Sequence, residues 1–132
     1  MELGRFGTWL VALMFASATV FAHGEKAGPN GGVVEDAGKY HVELVMRADE
    51  LRAFVTDAKD AKVDTKGAEA TATVLTGKAK STVKLMASGG NALAGAGRFD
   101  PAAGAKIVLS LTLPGQGAMQ ARFSIAPAAG KR

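Results

Sequence analysis

The chain has 132 residues and a formal net charge of +4, from 16 lysines and arginines against 12 aspartates and glutamates, and this length suits one domain. It contains no cysteine, which excludes disulfides, thiolate metal sites and cysteine nucleophiles. The positive excess does not indicate nucleic-acid binding, because aromatic residues are only 6% of the chain and no stretch interleaves arginine with stacking aromatic side chains.

Residues 1–22 have the three-part pattern of a secretory signal peptide, which we expect to form a short helix. A positive charge near the start is followed by an apolar run over residues 6–15 and by mostly small residues up to Ala22. The apolar run is short for a membrane span, so we expect a periplasmic or secreted protein with no stable span after cleavage, the alternative being an uncleaved anchor. Cleavage after Ala22 makes His23 the new amino terminus, whereas cleavage after Ala18 leaves four residues before it.

The mature chain divides into three parts. Residues 23–32 are predicted to be an extended lead-in that ends in the turn Pro29-Asn30-Gly31-Gly32. Residues 33–126 contain about eight short strands separated by turn signals, with no sustained helical period, and residues 127–132 are predicted to be a disordered basic tail. The strand pattern predicts an all-β domain, specifically an antiparallel two-sheet β-sandwich of the immunoglobulin-like kind.

The strand predicted at residues 39–47 organises the rest. Tyr40, Val42, Leu44 and Met46 alternate on one face, which can anchor a core, while the other face carries His41 and Glu43. The turn Asp36-Ala37-Gly38 separates this strand from a short strand at residues 33–35, which predicts a hairpin. We expect the hairpin to bring the lead-in back alongside the strand that bears His41.

The later elements are strands at residues 51–56, 69–76, 81–86, 106–113 and 118–125, each with period-two alternation. A short edge piece is predicted at residues 63–65. Residues 92–99 are rich in glycine and are interpreted as a weak strand with a bulge.

The two histidines of the chain are the candidate metal ligands. An amino-terminal His23 would offer its α-amino group and its imidazole in one chelate, and His41 would add a second imidazole. Three nitrogen donors suit Cu(II), and both donor types lose their proton readily near neutral pH. Glu43, about 7 Å from His41 along the strand, is a candidate either as a ligand or as the acceptor of the imidazole N–H. The alternative is that His41 is a surface residue paired with Glu43, without metal.

Other chemistry is weakly supported by the sequence. Met46, Met86 and Met119 are isolated and are interpreted as core filling rather than as Cu(I) ligands. The loop acids lack the spacing of a calcium site, and the serines do not lie in a nucleophile elbow. We therefore interpret the protein as a non-enzyme.

The segments His23-Gly24, Pro29-Asn30-Gly31-Gly32 and Tyr40-His41-Val42-Glu43-Leu44-Val45 carry a family resemblance. Here the sequence resembles small exported proteins found with bacterial heavy-metal efflux systems, and it is similar to the opening segment of the periplasmic adaptor subunits of metal-exporting pumps. The resemblance implies a periplasmic β-domain with a metal role. Relatives often have a histidine in the turn, where this chain has Asn30.

Two functions follow from these observations. The first is a carrier or buffer of copper or another divalent metal that works beside an efflux pump, with a metal-efflux adaptor or another envelope protein as its partner. The second is an interaction module without metal, which docks on an envelope protein or an efflux component through exposed strand edges or loops.

Overall fold

The computed structural model describes residues 26–127, and the regular secondary structure of these residues is almost entirely β-strand. One short 3-10 helix, Pro101–Ala103, precedes the eighth strand. The strands are β1 (Lys26–Ala27), β2 (Val33–Ala37), β3 (Tyr40–Met46), β4 (Glu50–Thr56), β5 (Glu69–Thr76), β6 (Ala79–Ala87), β7 (Ala92–Ala96), β8 (Ala105–Thr112) and β9 (Met119–Ile125). No helix within residues 26–127 is long and apolar enough to span a membrane. The predicted signal peptide and all but the first residue of the predicted tail lie outside the described range.

Alternating burial shows why these segments form strands. In β8, Ile107, Leu109 and Leu111 are buried while the residues between them are partly or fully exposed. The same period of two runs through β4 and β5, and every neighbouring pair of strands is antiparallel. The prediction of an all-β antiparallel domain is therefore confirmed.

The sheet is a nearly closed barrel, so the expected two-sheet sandwich is corrected. All nine strands belong to one sheet in the order β1-β2-β3-β4-β7-β6-β5-β8-β9, and their inward faces share one core. The two ends of the sheet meet where the Gln116 side-chain amide donates to the Tyr40 hydroxyl at 2.8 Å and Met119 packs on Gly38. Small interior residues such as Ala53 and Ala72 let the sheet curl this tightly.

Strand connections make the sheet continuous. Strands β5, β6 and β7 form a meander, and β8 returns beside β5, which is a Greek-key arrangement. The long connection from β4 to β5 is held by Thr65, a fully buried residue whose hydroxyl donates to the Ala92 carbonyl at 2.7 Å. The edge strand predicted at residues 63–65 is wrong, because only a single bridge between Thr56 and Lys62 forms in this connection.

Gly95 explains why the weakly predicted strand β7 fits between its neighbours. A Cβ atom at this buried position would lie 2.4 Å from the Lys84 carbonyl oxygen and 2.9 Å from a methyl group of Val83, both on β6. Real Cβ atoms do not approach backbone oxygens so closely, so the two strands require glycine here.

We expect Gly95→Ala to lower the free energy of unfolding by about 1–3 kcal/mol, because β6 and β7 must move apart to admit the methyl group. Gly117→Ala is the matched control, since a Cβ atom there meets nothing within 4 Å. The control should change stability by less than about 0.5 kcal/mol. Urea denaturation of both variants measures this difference, and equal stabilities would contradict the close approach of the two strands.

Candidate functional site

The turn at residues 28–32 folds over the outer face of β3. It closes with backbone hydrogen bonds from the Gly28 N–H to the Gly32 carbonyl at 2.9 Å and from the Gly31 N–H to the Gly28 carbonyl at 3.1 Å. Gly31 has a φ of +84°, a conformation that glycine adopts without strain. The predicted turn is therefore present, and it forms a compact cover on β3.

The carboxylate of Glu43 holds this turn in place. Glu43 is only 4% exposed, and it accepts hydrogen bonds from the backbone N–H of Asn30, the side-chain amide of Asn30 and the backbone N–H of Gly32, each at 2.8 Å. Gly28 permits the contact, because a Cβ atom there would lie 2.4 Å from the Glu43 carboxyl carbon. Hydrogen bonds to an ionised acceptor are stronger than neutral ones, so this carboxylate is a firm anchor for the turn.

His41 lies two residues before Glu43 on the same outer face of β3 and has a different partner. Its Nδ1 atom is 2.8 Å from an Asp36 carboxylate oxygen, across the register pair that joins β2 to β3. The carboxylate can only accept, so a neutral His41 ring donates from Nδ1 and keeps the lone pair on Nε2. The ring is 31% exposed and the Asp36 side chain 69%.

An open cleft of about 640 Å³ lies beside these groups. Its floor includes His41, Phe54 and Thr56 from the outer faces of β3 and β4. The turn borders it on one side, and Asp60 and Lys62 of the β4–β5 connection border it on the other. The cleft therefore exposes an oriented imidazole among mixed polar and apolar groups.

The cleft border at residues 57–61 is shaped by Asp57. Its carboxylate accepts from the backbone N–H groups of Ala61 at 2.9 Å and Lys59 at 2.8 Å. These hydrogen bonds, the one from Ala61 foremost, lower the pKa of Asp57 from its ordinary value of 3.8. Asp60 has a φ of +67°, which an aspartate tolerates in a tight turn.

The structure places the predicted site residues as follows. His23 lies outside the described residues, so its distance from His41 stays a prediction. His41 and Glu43 share a face as expected. Glu43 accepts hydrogen bonds from the turn, however, and the acceptor for the imidazole is Asp36. The lead-in pairs with β2 through Lys26↔Val34 and not directly with β3. Within residues 26–127, no group of three histidine, aspartate or glutamate side chains is arranged to hold a metal ion.

Asp36 is the site residue that sequence reasoning missed. It was interpreted only as part of a turn, yet the hairpin register Ala37↔Tyr40 puts Asp36 opposite His41. A two-residue turn at Gly38-Lys39, instead of the predicted turn at residues 36–38, would have placed Asp36 opposite His41. Asn30, which the sequence analysis places in the turn without a partner, donates to Glu43 through both its backbone and its side chain.

We expect Glu43→Ala to lower the free energy of unfolding by about 3 kcal/mol, because three donors lose a charged acceptor. Glu43→Gln should cost only about 1 kcal/mol, since its carbonyl keeps the two backbone bonds and the Asn30 amide can flip to accept from the new NH₂ group. Urea denaturation and amide hydrogen exchange at Asn30 and Gly32 measure the effect. Glu69→Ala is the control, because that side chain is 55% exposed, and a similar loss there would contradict the anchor role of Glu43.

Asp57 generates a pH dependence of stability. Because its pKa is lower in the folded chain, the ionised carboxylate stabilises the fold above its unfolded pKa, and this contribution is lost as the pH falls through the folded pKa. Asp57→Ala should therefore be less stable than the wild type near neutral pH, with a gap that narrows as the pH falls below about 4. Thermal unfolding at several pH values measures the gap, and a constant gap would argue against the ionised acceptor.

Comparison of the chain with protein-family models, with curated proteins and with solved structures finds no match. The resemblance to proteins of heavy-metal efflux systems therefore stays a prediction from the sequence. The fold and the site described above rest on the residues of this chain alone.

Proposed function

We propose that this protein is an exported metal-binding protein for Cu(II) or another divalent transition metal, with the Nε2 atom of His41 as one ligand. The single observation that carries the proposal is the Asp36–His41 hydrogen bond at the floor of an open cleft. A histidine that ligates a metal usually donates its other ring N–H to a carboxylate, which orients the ring and makes it more basic. Asp36 supplies that partner, and the His41 side chain lines the cleft and is 31% exposed.

His23 supplies the remaining nitrogen donors in this proposal. Ala27 lines the same cleft as His41, and His23 precedes it by four residues, a span of at most about 14 Å. With an amino terminus at His23, one amine and two imidazoles make a three-nitrogen set of the kind that suits Cu(II).

Glu43 acts on the turn in this proposal and is not assigned as a ligand. Moving its carboxylate to a metal would leave three N–H donors without their acceptor, at a cost of about 1–3 kcal/mol for each buried donor. Kept in place, Glu43 fixes the turn in which the lead-in ends.

The proposed role is that of a carrier or buffer beside a metal efflux system. A half-exposed ring and few ligands favour exchange of the metal over permanent retention. The association with an efflux adaptor or another envelope protein rests on the sequence resemblance. A docking module without metal is the competing function, and the experiment below separates the two.

We expect the exported protein to begin at His23 by intact mass and to bind one Cu(II) in an isothermal titration. His41→Ala should lose at least about tenfold in affinity, and Asp36→Asn about 10–100-fold, because the ring loses its orienting carboxylate. Lys39→Ala, an exposed change on the same hairpin, is the control and should bind as the wild type does.

Equal binding by the wild type and His41→Ala would overturn the metal site. An amino terminus other than His23 would remove the chelate and leave the docking module as the better candidate. Electron paramagnetic resonance of the bound copper should report three nitrogen donors, and a signal with oxygen donors alone would also contradict the proposal.

A further inference from the structure

The net positive charge of the described residues lies on one part of the domain surface. The outer faces of β5, β6, β8 and β9, with the turn between β5 and β6, carry five basic residues and one acidic residue, a net charge of +4. The rest of the described chain carries eight basic and nine acidic residues. The basic residues of this surface, named here the basic face, are Lys78, Lys80, Lys84, Lys106 and Arg122, and the acidic one is Glu69.

The side chains of the basic face point to solvent. Its five basic residues are all exposed, and alternate positions on the same strands, such as Val83, Leu109 and Phe123, are buried in the core. Glu69 balances only Lys84, at 3.9 Å and with both side chains more than half exposed. The other four charges, on β6, β8, β9 and the turn between β5 and β6, therefore act outward.

An apolar side chain projects from the middle of these charges. Leu75 is 43% exposed, and its register partners on the two neighbouring strands are Lys80 and Lys106. The backbones of those two lysines are about 10 Å apart, two strand spacings. Lys78 follows Leu75 in the turn after β5, so the same end of the barrel combines an exposed leucine with three lysines.

We infer that the basic face docks on an anionic phospholipid surface. The charges are spread over the outer faces of neighbouring strands, so they suit an extended anionic partner and not a small molecule. A lipid leaflet puts an anionic layer above an apolar one, which matches lysines set around a projecting leucine. An acidic protein surface would match the charges but would offer no apolar layer for Leu75.

This inference does not depend on the metal site, because His41 and the cleft lie on β3 and β4 and the basic face lies on other strands. Docking through the basic face would hold the protein at a membrane while the cleft stays open. A soluble carrier would then work close to the surface where a membrane-bound partner resides.

The test is co-sedimentation of the exported protein, made from the full-length chain, with vesicles of phosphatidylglycerol and phosphatidylcholine or of phosphatidylcholine alone. We expect binding only to the anionic vesicles, weakening as salt is raised. Lys80→Glu together with Lys106→Glu should lower the partition coefficient at least about 25-fold, at about fivefold for each lysine lost. Lys39→Glu together with Lys59→Glu changes the net charge equally, lies outside the basic face and should cost less than about threefold.

Equal losses in the two double variants would overturn the inference, because binding would then follow net charge and not this face. Absence of binding to anionic vesicles at low salt would also overturn it, as would capture by polyglutamate without capture by the vesicles, which would point to an acidic polypeptide. Circular dichroism of both variants establishes that they fold. Should both fail to fold, Leu75→Ala replaces them: it should weaken vesicle binding, and unchanged binding would overturn the inference.

Discussion

The carboxylate of Glu43 is the interaction on which the candidate site depends. A glutamate on the outer face of a strand is ordinarily solvated, but here it is buried because the turn at residues 28–32 lies over it. The turn presents three N–H donors to the carboxylate, and Gly28 leaves space for the approach. Without that acceptor the donors would hydrogen-bond to water, and residues 28–32 would have no fixed course across β3.

That fixed course creates the cleft. The turn at residues 28–32 forms one border and residues 57–62 form the other. The outer faces of β3 and β4 lie between them. In this setting the Asp36–His41 pair is the one arrangement in the described chain that combines an oriented imidazole with open access. Orientation by a carboxylate and accessibility of the second nitrogen are the two properties that a metal-ligating histidine needs.

The barrel separates its two surfaces of interest. The cleft belongs to the half formed by β2, β3 and β4, whose strands carry four acidic residues and one basic residue, and the basic face belongs to the half formed by β5, β6, β8 and β9. Because the strands form one curled sheet, these halves face different directions. A site for a small ligand and a surface for a broad partner can thus coexist on a small domain without competing.

The sequence by itself determined the longer strands and their inward faces. The alternation in segments such as residues 40–46 and 106–113 depends only on the period of two, a local property, and even the compact turn at Pro29–Gly32 was marked by its residue types. Only the tertiary structure decided how the strands join, because a sandwich and a barrel share the same alternation and differ in pairings such as β5 with β8. For the same reason the partners of Glu43 and His41 were not foreseeable in full: a side chain's acceptor or donor depends on hairpin register and on a turn folded back across the sheet, and both are set by contacts distant along the chain.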